Sequence, residues 1–198
     1  MSRHRNSEAL RVPEVILDPP PVLAGDRVGV AALSGRVDPE RLKRGVDALR
    51  QLGYEPVLAD NLMRHDGLFA GTEEERLHGF HSLAADHAIQ AIFFARGGHG
   101  LLRLIDRIDW DLLWQRPRAY IGYSDLVPFL NQVVLRLGYV AFHGPMVAAD
   151  MARGLDHEEA ASLRDALAGH SQRIPVARWS SHGRGDGVAE GTLLGGCL

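Results

Sequence analysis

Short apolar runs that stop at glycine alternate with amphipathic helical patterns along most of this chain. The clearest apolar run covers residues 88–95 and stops at Gly97-Gly98, and an earlier one covers residues 27–33. Runs of this length with such sharp ends are typical of buried strands. Because strands that alternate with helices form βαβ units, the pattern predicts an α/β fold, in which helices cover both faces of a mostly parallel sheet.

Two of the expected helices carry clear start signals. Asp38 precedes a proline, which is the favoured order of cap and first helical residue, and Thr72 with Glu75 forms a capping box. The predicted strands are residues 27–33, 54–59, 88–95, 119–123 and 139–142. The predicted helices are residues 39–52, 72–85, 101–105, 125–137 and 157–168.

Changes in composition and in hydrophobic pattern divide the chain into three parts. Residues 1–21 are expected to be a flexible leader, because they have few apolar residues to bury and end in a proline run. Residues 22–170 carry the strand and helix patterns and form one α/β domain. From residue 171 glycines become frequent, which predicts a linker and the beginning of a β-rich second domain over residues 171–198.

Composition argues against several classes of protein. The formal charge is −3 and the 22 basic residues are scattered, so no nucleic-acid partner is expected. No apolar run approaches the roughly 20 residues of a membrane helix, and no secretory signal is seen, so the expected location is the cytoplasm. Cys197 is the only cysteine, so no internal disulfide can form. The ten histidines lack metal-ligand spacing, and neither a metal nor another cofactor is expected.

The stretch from Tyr120 to Leu126 carries the strongest chemical signal. An apolar run ends at Gly122, Ser124 follows two residues later, and a helical pattern begins at once. A serine at such a strand-to-helix turn projects its hydroxyl above the sheet, where a nucleophile is needed. The alternative is that Ser124 only caps the helix. The pattern also departs from the nucleophile elbow, because Leu126 stands where its second glycine would be.

Three further positions are candidates for the same site. The Gly97-Gly98 turn can direct backbone N–H groups at an anion, as an oxyanion donor or a phosphate cradle, although it can also be a plain tight turn. Asp125 is a poor base for its neighbour Ser124, but its N–H lies where nucleophile elbows have an oxyanion donor. His143 follows a predicted strand and could be a base, a substrate contact or a residue that holds a loop.

Taken together, these segments resemble the LD-carboxypeptidase family of serine peptidases, which includes murein tetrapeptide carboxypeptidases and microcin C immunity peptidases. Each segment alone is common, but five in register are specific. The matching segments are residues 25–30 with Ser34, residues 69–72 with Glu75-Arg76, residues 95–100, residues 121–125 and residues 142–146.

The resemblance implies a flavodoxin-like domain followed by a C-terminal barrel-like domain, in a homodimer. It implies a metal-free Ser–His–Glu triad with Ser124 as the nucleophile and the N–H groups of Asp125 and Gly98 as oxyanion donors. Gly97 and His143 would then contact the substrate. The family reaction removes a terminal D-alanine from an L-centre diamino acid in cytoplasmic muropeptides, a step of cell-wall recycling.

The triad partners are the point of departure from the family. In the family the Glu and His lie in the C-terminal domain, and no residue here matches either, so the 198-residue chain is expected to be inactive or nearly so alone. One alternative is a non-catalytic α/β module that binds a peptide or an anion. A flavodoxin-type phosphate or nucleotide domain is another, supported only by analogy of fold. A peptidase that acts on a peptidyl-adenylate antibiotic is the third.

Overall fold

Five parallel strands form one sheet in the order β2-β1-β3-β4-β5 in a computed structural model that describes residues 13–170 and 190–196. This is the flavodoxin-like strand order, and the predicted α/β fold with a parallel sheet is confirmed. The strands are β1 Arg27–Ala31, β2 Glu55–Leu58, β3 Ile89–Phe94, β4 Ala119–Gly122 and β5 Phe142–His143. The predicted β-rich second domain lies mostly on residues outside the described ranges.

The three longest α-helices of the described chain begin at side chains that satisfy the first backbone N–H groups. Asp38 accepts a hydrogen bond from the Arg41 N–H, and Thr72 and Asp156 each form a full capping box. The α-helices are α1 Pro39–Gln51, α2 Glu73–Ala85, α3 Trp110–Trp114, α4 Val127–Gln132 and α5 His157–Leu167.

Both faces of the sheet are covered by helices, with aromatic contacts on one and a close backbone approach on the other. Phe80 of α2 and Phe129 of α4 pack edge to face at 5.5 Å and surround Phe94 of β3. On the opposite face α1 lies against the segment around Val147. A Cβ atom on Gly45 would be 1.9 Å from the Val147 carbonyl oxygen, so only glycine permits this contact.

The structure differs from the predicted elements mainly where helical turns are short. The predicted helix over residues 125–137 is three pieces: a 3₁₀ turn Ser124–Leu126, then α4, then a π-helical turn Val133–Leu137. Residues 101–105 form part of two 3₁₀ turns, Leu101–Arg103 and Ile105–Arg107, instead of one helix. The predictions omitted α3, whose five residues are too few for a visible helical period.

The segment before β1 is attached to the end of the sheet that holds β5. The Leu17 N–H donates to the Gly138 carbonyl at 2.8 Å, and the Val140 N–H donates to the Leu17 carbonyl at 2.9 Å. Leu17 and Tyr139 therefore form an isolated parallel bridge, and β5 proper begins only at Phe142 instead of at residue 139. Residues 1–12 of the expected leader lie outside the described ranges.

Candidate active site

The loops that follow β1, β3 and β4 meet at the carboxyl ends of three adjacent strands. They bring Ser34, the Gly97-Gly98 pair and Ser124 to one edge of the sheet. In open α/β sheets ligands bind at this edge, beside the point where the strand order reverses, which here lies between β1 and β3. The sheet therefore assembles the candidate residues that are far apart in the sequence.

Ser124 is the one non-glycine residue with a positive φ in the part of the chain that the structure describes, at +61°. Side chains with a Cβ are strained in this region, at a cost on the order of 1–2 kcal/mol. Ser124 is exposed, and it is the first residue of the 3₁₀ turn; the residue in the cap position is the extended Tyr123. The alternative that Ser124 only caps a helix does not fit, because no side-chain cap bond is made there.

Gly97 lies directly against the serine. A Cβ atom at position 97 would be 2.9 Å from the Ser124 Cβ, 3.1 Å from its Oγ and 3.4 Å from the Asp125 backbone nitrogen. Only glycine therefore lets the loop after β3 approach this closely. Gly98 follows with a φ of +128°. Neither glycine N–H has a hydrogen-bond partner within the described ranges, so both remain available to a bound oxygen.

The Asp125 carboxylate joins the other two loops. It accepts a hydrogen bond from the buried Ser34 hydroxyl at 2.7 Å and from the Leu101 N–H at 3.1 Å. These bonds link the ends of β1, β3 and β4. The carboxylate therefore holds the turn that carries Ser124, while the Asp125 backbone N–H stays beside the Gly97 loop.

Arg76 of α2 is a buried cation beneath this network. In the sequence it belongs to a segment that resembles the family, but nothing there indicates this role. Its Nη1 donates to the Leu33 carbonyl at 2.7 Å and to the Gly100 carbonyl at 3.4 Å. Its Nε has no partner among the described residues. Burial lowers the pKa of Arg76, which nevertheless stays protonated as guanidinium groups do. The sequence signals only its burial, because Arg76 lies four residues before Phe80 on the apolar face of α2.

His143 lies beside Tyr123 at the neighbouring strand end. Its exposed ring is 5.5 Å from the Tyr123 ring, measured between centroids. The Tyr123 hydroxyl donates to the Asp150 carboxylate at 3.3 Å, and Asp150 also accepts from the Met146 N–H and pairs with Arg153. His143 therefore shares this edge of the sheet with Ser124.

A pocket of about 240 Å³ opens beside the serine. It is predominantly polar and includes two arginines, one aspartate and both glycines of the loop after β3. Its lining residues are Asp38, Arg41, Arg96, Gly97, Gly98, Tyr123, Ser124, Met146, Ala148 and Ala149.

The described residues contain neither a cluster of metal ligands nor a membrane-spanning helix. No group of three or more His, Cys, Asp or Glu residues within residues 13–170 and 190–196 is placed to hold a metal ion. No helix in the same ranges has the length and apolar character needed to cross a membrane.

Comparison with known sequences gives one family. The LD-carboxypeptidase N-terminal domain matches residues 28–144. A putative carboxypeptidase of Streptomyces coelicolor is 34% identical over 196 residues, covering 92% of this chain and 60% of that protein. A probable murein peptide carboxypeptidase of Bacillus subtilis is 36% identical over 132 residues, covering 67% of this chain and 41% of the other. The chain thus spans about half the length of these relatives.

Solved structures agree with the fold. The microcin C7 self-immunity protein MccF superposes with a TM-score of 0.73 at 24% identity, over 80% of this chain and 48% of MccF. A muramoyltetrapeptide carboxypeptidase from Oxalobacter formigenes has a TM-score of 0.64 at 28% identity, over 71% of this chain and 47% of its own.

Proposed function

This chain belongs to the LD-carboxypeptidase family, and from that premise we propose that Ser124 is the nucleophile of a serine carboxypeptidase. The substrate is a muropeptide that ends in D-alanine, and the reaction serves cell-wall recycling in the cytoplasm. The names of the Bacillus and Oxalobacter relatives support this substrate class. The observation that carries the proposal is the positive φ of Ser124, which a residue without a chemical role has no reason to keep.

The reaction begins when the Ser124 Oγ attacks the carbonyl carbon before the terminal D-alanine. A general base takes the hydroxyl proton, and the N–H groups of Asp125 and Gly98 stabilise the negative charge that forms on the carbonyl oxygen. The C–N bond then breaks, the D-alanine amine leaves with the proton, and water releases the acyl group from Ser124. Gly97 contributes by allowing the loop to lie against the serine.

The family resemblance assigns the base to a His that a Glu orients. No residue of the 198-residue sequence matches either partner, so we expect little hydrolysis from this chain by itself. A test of Ser124 therefore has to supply a base. The part of the Streptomyces coelicolor relative that lies outside the matched region is a suitable source.

The experiment measures D-alanine release from the tetrapeptide L-Ala-γ-D-Glu-meso-diaminopimelyl-D-Ala. A fusion of the 198 residues with the remaining part of the Streptomyces relative is compared with its Ser124→Ala variant and with the chain alone. We expect release by the fusion and a fall of at least about 1,000-fold in the Ser124→Ala variant. Equal release by the fusion and by its Ser124→Ala variant contradicts the proposed role of Ser124, and so does a folded fusion that releases none.

A further inference from the structure

Two guanidinium groups line the pocket beside Ser124 without a carboxylate partner. Arg41 comes from the first turn of α1 and Arg96 from the loop after β3. None of the ion pairs among the described residues includes either of them. Asp38 also lines the pocket, where it accepts the Arg41 N–H as the cap of α1. The pocket therefore keeps a net positive charge where the substrate has to bind.

Arg96 is held in place by carbonyl groups and not by an acid. Its Nε donates to the Gly97 carbonyl and its Nη1 to the Arg36 carbonyl, both at 3.2 Å. Its Nη2 has no hydrogen-bond partner within the described residues. Gly97 in turn lies against Ser124, so the guanidinium group is fixed relative to the nucleophile. A fixed guanidinium with an open N–H edge suits a carboxylate, which arginine binds through paired N–H groups.

A carboxypeptidase needs a group that binds the terminal carboxylate of its substrate close to the nucleophile. In a peptide that loses its last residue, three bonds separate the attacked carbonyl carbon from the carbon of the terminal carboxylate. These two carbons therefore lie within about 4 Å of each other. Any group that recognises the carboxylate must share the pocket of the nucleophile, as Arg96 does.

We propose that Arg96 binds the C-terminal carboxylate of the substrate and thereby restricts cleavage to the last peptide bond. This inference rests on the proposed function and adds the residue that selects a free chain end. Arg41 is less suited to the role because its guanidinium donates to the carbonyls of Ala148 and Ala149, on another wall of the pocket. The Arg96 guanidinium instead donates to Gly97, the residue that lies against Ser124. A peptide amide in the same position leaves the guanidinium without its anionic partner and binds more weakly.

The test is a binding measurement on the 198-residue chain, because carboxylate binding requires no base. N-acetyl-L-lysyl-D-alanine and its C-terminal amide are titrated while the backbone N–H signals of Gly97 and Gly98 are followed by NMR. We expect the free acid to bind at least about 10-fold more tightly than the amide. Arg96→Gln should remove that preference and leave binding of the amide unchanged, and Arg96→Lys should retain part of it.

Arg36→Gln is the matched control, since Arg36 is an exposed neighbour that lies outside the pocket lining. It should keep the full preference for the acid. Three results overturn the inference: a wild-type chain that shows no saturable preference for the acid, an Arg96→Gln variant that keeps it, or an Arg36→Gln variant that loses as much. Ser124→Ala should bind the acid like the wild type, so a failure of hydrolysis and a failure of carboxylate binding are separate outcomes.

Discussion

Two arginines are almost completely buried at opposite ends of the sheet, and their surroundings differ. Arg118 lies just before β4 and donates to the Leu83 and Ala84 carbonyls at 3.0 and 2.8 Å, which are among the last carbonyls of α2. Arg76 lies under the loops that carry the candidate site, and its Nε is left without a partner in the described chain. Arg118 therefore caps the carboxyl end of α2, where its charge also complements the helix dipole. Arg76 instead connects the loops that follow β1 and β3.

The difference shows where this fold places stability and where it places function. Arg118 bonds the end of α2 to the start of β4, near a pocket of about 500 Å³ whose lining includes Pro19, Pro20, Pro21 and Pro117. Above Arg76 lie the strained Ser124, Gly97, where a Cβ atom would be 2.9 Å from the serine Cβ, and Gly98, whose φ is +128°. We therefore expect substitutions at the amino ends of the strands to lower stability and those at the carboxyl ends to change the site.

The largest effect on stability is expected for Arg118→Met. Methionine keeps much of the packing but leaves two helix carbonyls without charge-assisted donors, so the free energy of unfolding should fall by about 3 kcal/mol. Urea unfolding measures this, and the preference for the free acid over the amide should stay at its wild-type value. If a folded Arg118→Met variant loses the preference for the free acid, the amino ends of the strands also control the site, and the distinction between the two ends of the sheet is wrong.

Arg76→Met should cost less stability, about 2 kcal/mol, because its Nε is already unpaired. The same substitution should reduce the preference for the free acid, since the Leu33 and Gly100 carbonyls lose the group that joins their loops. Urea unfolding and the NMR titration on one sample provide both quantities. An unchanged acid preference shows that the network under the site has no influence on the pocket.

Ser34→Ala should lower the free energy of unfolding by about 1 kcal/mol through loss of the buried hydroxyl that donates to Asp125. Ser82→Ala, at an exposed position of α2, is the control and should be nearly neutral or slightly stabilising. In the fusion enzyme Ser34→Ala should lower kcat more than it raises KM, because it loosens the turn that carries the nucleophile. If Ser34→Ala changes KM and leaves kcat unchanged, Ser34 does not position the nucleophile.

The smallest effect is a pH dependence away from the site. Burial lowers the pKa of His81, which accepts the Asp109 N–H, although the nearby Asp109 carboxylate partly opposes the shift. The folded state then binds fewer protons than the unfolded state, so stability falls as the pH drops through about 6.5. Between pH 7.5 and 5.5 the wild type should lose about 0.5 kcal/mol more than His81→Gln, a difference reduced by solvent screening. If the two proteins lose the same stability over this pH range, the pKa of His81 is not lowered by folding.

Much of the fold was predictable because periodicity and end signals agree in each long element. Asp38, Thr72 and the glycines after the strands mark boundaries that lie within a few residues of those observed. The turns after β3 and β4 were not predictable in detail. Gly100 accepts a hydrogen bond from Arg76 and the Leu101 N–H donates to Asp125, and such bonds between distant residues leave no local pattern in the sequence.

For the site, the sequence indicated which residues carry the chemistry but not how they are held. Ser124, Gly97 and Gly98 stand out because glycines and serines at strand ends are visible locally. The bond between Ser34 and Asp125 joins residues 91 positions apart and appears only when the strands are adjacent. The shared pocket of Arg96 and Arg41 likewise depends on the order of β1 and β3.

The strain at Ser124 can be measured directly by replacing the serine with glycine and with alanine and comparing the two free energies of unfolding. At a φ of +61° glycine relieves the strain, so Ser124→Gly should be about 1 kcal/mol more stable than Ser124→Ala. The same pair at the exposed helical Ser82 should show the opposite order by about 1 kcal/mol. If alanine is the more stable residue at both positions, Ser124 is not held in the strained turn that its role as a nucleophile requires.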